Sequence, residues 1–584
     1  MSSFSLLPST LSGPSPSWVR ILPNGWRMGI WCVAVLAAAP LIAVVWIALQ
    51  PGDDVWQHLV STVLPRYAYT TALLALGVGL GTLVLGTSTA WLVTMCRFPG
   101  RRLLSWALLL PLAMPAYLAA YAYTELLEYA GPVQMALRAA FGWSHPRDYW
   151  FPEVRSLGGA VVFMTLVLYP YVYLLSRAAF LEQSTSVLEV GRSLGRGPWG
   201  AFFTVALPMA RPTIVVGVLL AVMETLNDFG TVDFFAVPTF TVGIFRVWFG
   251  MNNAPGAAQL AGLLLAVVLV LIGLERLARR SRRFAAAQGR GKPLPGYSLA
   301  RGRGLLVMSA CAVPVVLGFV VPATLLGMGS LQAALAGGGA GTDGSGNSGG
   351  WPGLAGLVFN SLSVSALAAA VAVTVGLFLA YGLRVAGRPV ERLASRVASV
   401  GYAVPGTILA IGVIVPAAWL DNALDGWLRY HFGVSSGLLL SGTLAAVTFS
   451  YVARFLALSF GTLEAGLGKI TPSMDHAARS LGASPGATLW RVHAPLLRGS
   501  VLTAALLVFV DGMKELPMTL ILRPFNFDTL ATHVYEYASY EQFAQATPAA
   551  LAIVLVGLLP VIGLSRTIAG ARKPRPEETP WVSP

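Results

Sequence analysis

Two short stretches of this chain carry carboxylates where apolar residues would be expected. The first reads AVMETLNDFGTVDFF and holds Glu224, Asp228 and Asp233; the second reads VFVDGMKELPMTLILRPF and holds Asp511, Lys514 and Glu515. Shifted by 287 positions, Glu224 falls on Asp511 and Asp228 on Glu515. Residues four apart share a helix face, so each stretch offers two carboxylates on one side of a helix. Such pairs suit a polar path for a cation, and equally suit ion pairs that lock a bundle; the residues alone leave both open. Lys514 partly neutralises the second set. Gly230 and Pro517 stand at equivalent positions just beyond, which predicts that both helices break there.

The cost of these charges depends on where the helices sit. The 584 residues are 56% hydrophobic and 11% charged, whereas soluble domains carry about 25% charged residues. A soluble core has no use for so much apolar surface, so the bilayer is the solvent that suits this composition. A carboxylate at the bilayer centre costs roughly 2.5–3.5 kcal/mol on insertion scales, which makes each one a functional candidate. The net charge of +14 does not point to nucleic acid, because the basic residues lie between apolar runs rather than on one face. Cys32, Cys96 and Cys311 have no metal-ligand spacing, nor do His58, His145, His431, His476, His493 and His533. All of these histidines except His476 read as loop or surface residues. No G-x-x-x-x-G-K-[ST] loop occurs, so the usual cradle for ATP phosphates is missing and no cofactor is expected.

A spanning helix needs about 20 apolar residues. Twelve candidates emerge: 28–49, 69–95, 103–127, 157–180, 212–227, 257–275, 305–328, 357–383, 396–418, 438–460, 500–521 and 548–568. The predicted fold is an all-α integral membrane protein with two parallel six-helix repeats. Loops on one side hold Arg97, Arg101, Arg102, Arg192, Arg196, Arg211, Arg384, Arg388 and Arg392, and a basic stretch runs from Arg276 to Arg303; the alternate loops are acidic. The excess of Arg on one side assigns that side, and both termini, to the cytoplasm of a bacterial inner membrane. The expected organisation is a cytoplasmic tail at 1–27, a first half at 28–275, a basic linker at 276–303, a second half at 304–570 and a cytoplasmic tail at 571–584. The Gly-rich run within 329–352 reads as a flexible external connection.

The repeat is explicit. Pro99 and Pro389 stand 290 apart, as do Pro115 and Pro405, and Arg192-Ser193-Leu194-Gly195 recurs 287 later as Arg479-Ser480-Leu481-Gly482. Halves with an even number of helices enter and leave on the same side, unlike the inverted repeats of many secondary transporters. Between the fourth and fifth spans lies EVGRSLGRGPWGAFFTVALPMARP, and between the tenth and eleventh HAARSLGASPGATLWRVHAPLLRGS. Each reads as helix, turn, helix. Gly195 and Gly482 suit a left-handed helix end, and Pro198 and Pro485 the first position of the next helix. Pro208 and Pro495 are expected to stop those helices before the chain re-enters the membrane.

These loops resemble the "EAA" loops of binding-protein-dependent ABC import permeases, in which a Gly lies six residues after a Glu and a Pro thirteen later. Glu189, Gly195 and Pro208 fit in the first half, and His476, Ala477, Ala478, Gly482 and Pro495 in the second. Each loop departs from the pattern: Val190 and Gly191 stand where two alanines are usual, and His476 stands where Glu is usual. The resemblance implies that these segments, with Arg192 and Arg479, dock into a separate ATPase dimer, with unequal contacts from the two loops. The segments around Glu224, Asp228, Asp511, Lys514 and Glu515 resemble the ferric-iron branch of the fused permeases. That implies Fe(III) as cargo, delivered by a periplasmic binding protein. Related branches carry thiamine or polyamines, and an ion-driven carrier needing no ATPase is a third reading. Ferric iron is a hard cation that favours oxygen ligands, but carboxylates suit polyamines as well, so the choice of iron rests on the resemblance.

Overall fold

The computed structural model describes residues 18–50, 55–182, 200, 202–282, 297–335 and 351–570. Among these, eleven helices are long and apolar enough to cross a membrane, or twelve if the bent pair Arg101–Ala113 and Ala116–Phe141 forms one span. Every predicted span has a counterpart. The outward faces are apolar: Leu73, Leu76, Leu80 and Val84 form an exposed stripe on the second span, while Leu74 and Val78 on its other face are buried. A stripe of that kind suits lipid, and small residues suit the helix interfaces. Ala119, Ala120 and Ala122, all buried, supply such an interface on the third span.

That third span turns through 91° at Pro115. The residue before a proline is driven out of the helical region, and Met114 accordingly adopts φ −97°, ψ 110°. The second half repeats the device, with Val404 at φ −86°, ψ 130° before Pro405. Both breaks expected after the acidic pairs are present. The fifth span ends at Asn227 and the eleventh at Met513, and the short helices Gly230–Phe234 and Pro517–Leu522 follow.

Pro208 and Pro495 correct the sequence reading, because neither stops a helix. Each stands in the first turn of a long helix, directly after a π-turn, Phe202–Ala206 in the first half and Leu489–His493 in the second. The π-turn shifts the hydrogen-bond register, so the N–H that a proline lacks is not needed just past it, as at a helix start. The spans therefore run unbroken from Phe202 to Asn227 and from Pro485 to Met513.

Symmetry extends to single hydrogen bonds. Phe240 N–H donates to Thr71 Oγ1 at 3.2 Å, and 290 residues later Leu530 N–H donates to Ser361 Oγ at 2.8 Å. Thr70 Oγ1 bonds the Pro238 carbonyl, and Asn360 Nδ2 bonds that of Asp528 at 3.0 Å. In each half these bonds tie the segment after the break to the second or eighth span.

The halves also exchange elements. The first span packs mainly on the second half, against the Trp351–Ala386, Pro389–Ala398 and Gly406–Phe432 helices. Trp26 stacks on Phe378 at 4.9 Å, Arg27 pairs with the buried Glu391 at 3.4 Å, and Gly412 lies so close to the Pro40 backbone that a Cβ there would stand 2.1 Å from its carbonyl oxygen. Reciprocally, the seventh span lies between the twelfth span and the first half, where Tyr123 donates to the Leu317 carbonyl.

Candidate functional site

The broken fifth and eleventh spans bring the acidic residues together. Glu224, Asp228, Asp511, Lys514 and Glu515 all line one cavity of about 120 Å³ between the halves, space for several water molecules. Tyr117, Tyr171, Tyr402, Asn227 and Arg454 line it too.

Each carboxylate has its own partner. Asp228 accepts from Thr231 N–H at 2.8 Å, Thr231 Oγ1 at 2.9 Å and Val232 N–H at 3.4 Å, and so caps the short helix that begins at Gly230. Glu515 does the same job 287 residues later, accepting from Met518 N–H at 3.2 Å. It also faces Arg454, whose Nη1 lies 3.3 Å from each carboxylate oxygen. Asp511 pairs with Lys514 at 2.8 Å, and Glu224 accepts from the Tyr402 hydroxyl at 3.3 Å. Asn227, the repeat equivalent of Lys514, accepts instead from Gly406 N–H of the other half at 2.9 Å. The residues thus form ion pairs and helix caps while lining a shared space. With four carboxylates against Lys514 and Arg454, the lining carries an excess of two negative charges.

Arg454 was missed in the sequence reading, although it is an ionisable group within an expected span and the same cost argument singles it out. Tyr117 was missed because a tyrosine in an apolar run gives no such signal. The Tyr117 hydroxyl and Arg454 Nε are buried without a hydrogen-bond partner. An unmade bond of that kind costs about 1–3 kcal/mol, so these atoms suit a polar occupant of the cavity. Among the described residues no group of three or more His, Cys, Asp and Glu is arranged to hold a metal ion.

On the side opposite the basic loops, Arg155 bridges the halves. It pairs with Glu128 at 2.5 Å and with Glu541 of the second half at 2.9 Å, with its guanidinium 4.8 Å from the Phe234 ring. Tyr535 donates to Asp233 across the same seam at 2.8 Å. Glu541 adopts φ +58°, a left-handed conformation that costs a residue with a Cβ roughly 1–2 kcal/mol.

Of the loop segments, Glu189, Gly191, Arg192 and Gly195 lie outside the described residues. The second loop is visible throughout. Helix Pro472–Ser480 exposes His476, Ala477 and Arg479 and buries Ala478; Gly482 takes φ +78°, and Ser484 caps the turn that Pro485 opens, accepting from Ala487 N–H at 3.2 Å. Leu481 at the tip is 87% exposed, an apolar side chain open to a partner. Asp475 anchors the loop. It is 2.7 Å from Arg384 Nη2 and 2.6 Å from His493 Nε2, and Arg384 also donates to the Leu467 and Ile470 carbonyls. Burial pushes the Asp475 carboxyl up, but the hydrogen bonds from Arg384 and His493, with the charge of Arg384, outweigh it and hold the group below its ordinary value. His493 corrects the reading of that histidine as a surface residue, since it is fully buried. At the 287 offset the first half has Leu188 and Ala206 in place of Asp475 and His493, so it lacks the two residue types that make this contact.

Duplicated helical halves enclosing a charged cavity define a membrane transport component. The chain belongs to the family of binding-protein-dependent transport system inner membrane components, whose profile matches residues 77–283 and again 372–570. An Fe(3+)-transport system permease protein of Haemophilus influenzae is 26% identical over 85% of this chain and 88% of its own. A molybdenum transport system permease protein of Escherichia coli is 32% identical over 34% of this chain and 86% of its own, and a sulfate transport system permease protein of the same organism is 26% identical over 43% and 91%. The iron relative thus matches most of the double-length architecture, while the other two match less than half of this chain.

Proposed function

We propose that this chain forms the complete transmembrane pathway of an ATP-driven importer that carries ferric iron from a periplasmic binding protein to the cytoplasm, with ATP hydrolysed by a separate ATPase dimer. The observation that carries the reading is the convergence of Glu224, Asp228, Asp511 and Glu515, from two halves, on one net-negative cavity. A cation meets attraction there, and a polyanion meets repulsion. The similarity to an iron permease over 85% of this chain supports the choice of iron. Both termini and the loops bearing Glu189, Gly191, Arg192, Gly195, His476, Ala477, Ala478, Arg479 and Gly482 face the cytoplasm, as the basic residues argue. The exposed helix Pro472–Ser480 and Leu481 offer the ATPase a groove-sized projection. Coupling is a population shift, in which nucleotide-driven closure of the ATPase pair favours the outward-open pathway.

The test is reconstitution of the chain with its ATPase and binding protein in proteoliposomes. Uptake of radioactive Fe(III) should require ATP, the binding protein and an intact loop. ATP-independent uptake would establish an ion-driven carrier, and uptake of thiamine or spermidine in preference to iron would move the cargo to those branches.

A further inference from the structure

Lys514 breaks the symmetry of the cavity. Its repeat equivalent, Asn227, is neutral and hydrogen-bonded to the Gly406 backbone, whereas Lys514 places an ammonium 2.8 Å from Asp511. Glu224, the repeat equivalent of Asp511, lines the same cavity. The two cations of the cavity differ in kind. Arg454 is 4% exposed and its Nη1 sits 3.3 Å from both oxygens of Glu515; its planar guanidinium is always charged. Lysine is a compact point charge on a flexible stem. It is also scarce here: the chain has four lysines among 39 basic residues, and one of them stands in this cavity.

The remaining occupants of the lining complete the picture. Asp228 and Glu515 are held by the short helices they cap, and Glu515 also by Arg454. Asp511 and Glu224 cap neither of these helices; they face the side chains of Lys514 and Tyr402. Tyr117, 5% exposed, lines the same space with a hydroxyl that has no hydrogen-bond partner. A buried phenol without a partner beside an excess of negative charge is a neutral oxygen donor awaiting a ligand.

We propose that Lys514 is a tethered surrogate for the cargo: its ammonium occupies a hard-cation position served by Asp511 and Glu224, and an incoming multivalent cation takes that position by displacing it. The proposal rests on the reading of this cavity as a cation pathway. A permanently open pair of carboxylates would trap a trivalent ion and stall its release. A built-in monovalent competitor keeps the site weak, and refills it once the cargo has left, so Asp511 is not left without a counter-charge.

The experiment uses the full-length protein in nanodiscs and Tb(III), a hard trivalent probe whose emission is sensitised by nearby tyrosines, here Tyr117, Tyr171 and Tyr402. Lys514→Asn, which installs the residue of the other half, should tighten Tb(III) binding at least tenfold, and Lys514→Arg should not. The gained site should vanish in Lys514→Asn with Asp511→Asn. No gain, or a gain indifferent to Asp511→Asn, overturns the proposal. Should Lys514→Asn fail to fold, Lys514→Gln must show the same gain. Iron uptake by the wild-type complex is read separately: if that fails while the Tb(III) gain stands, the cargo assignment falls and the surrogate remains; the reverse result sinks the surrogate alone.

Discussion

Arg454 and Glu515 form a buried ion pair, 4% and 6% exposed, with 3.3 Å between charged atoms. At an effective dielectric constant of about 20, that separation corresponds to roughly 5 kcal/mol of attraction. Removing one partner of such a pair typically costs about 3–5 kcal/mol, because the other charge stays buried and uncompensated. The cavity makes the two removals unequal. Arg454→Met raises its negative excess from two charges to three, whereas Glu515→Gln lowers it to one and keeps an oxygen able to accept from Met518 N–H. We expect Arg454→Met to destabilise by the full ~3–5 kcal/mol. Glu515→Gln should cost distinctly less, and the double variant should recover to near the level of Glu515→Gln alone. The assay is detergent-induced unfolding of the purified protein, followed by tryptophan fluorescence and analysed as a double-mutant cycle. The reasoning fails if Arg454→Met is no more damaging than Glu515→Gln, or if the second substitution does not rescue the first.

Three further outcomes are expected. Gly482→Ala should cost about 1–2 kcal/mol of local loop stability from backbone strain alone, since an added Cβ meets nothing within 4 Å; faster amide exchange across 472–488 and weaker co-purification of the ATPase would register it. Arg155→Ala frees Glu541 from the seam opposite the basic loops and should raise ATP hydrolysis in the absence of the binding protein, measured in nanodiscs; unchanged basal hydrolysis would show the contact to be incidental. The Asp475 anchor, with its folded pKa depressed, contributes fully above the unfolded value of about 4 and is lost only as pH falls through the lower folded value. Protection of 472–482, corrected for intrinsic exchange, should therefore stay flat from pH 7 to 5, and Asp475→Asn should lose it at neutral pH.

The sequence carried the spans, the helix breaks at Gly230 and Pro517, and the four acidic positions, because each follows from a local rule about apolar length, proline chemistry or the cost of charge in lipid. It also carried the left-handed turn at Gly482. It did not carry which neighbour each charge finds: that Glu515 meets Arg454, or that Asp475 is held by Arg384 and His493, depends on helix packing between segments up to 91 residues apart. Pro495 was misread for a related reason. A proline interrupts a regular α-helix, but a π-turn upstream had already changed the register, and only the backbone path reveals that. The exchange of the first spans leaves no local trace at all, since it is a choice between two apolar surfaces.

That exchange sets a waiting time during synthesis. The first span ends at Ala48, and the helix whose Gly412 it packs against ends at Phe432. At about 5–20 residues per second, the chain between them takes roughly 20–80 s to emerge. For that interval Pro40 and Trp26 have only lipid, the insertion machinery or the unfinished first half for company, and Arg27 lacks Glu391. Degradation of truncated chains should therefore fall sharply once the ninth span has been made, rather than when the first half is complete.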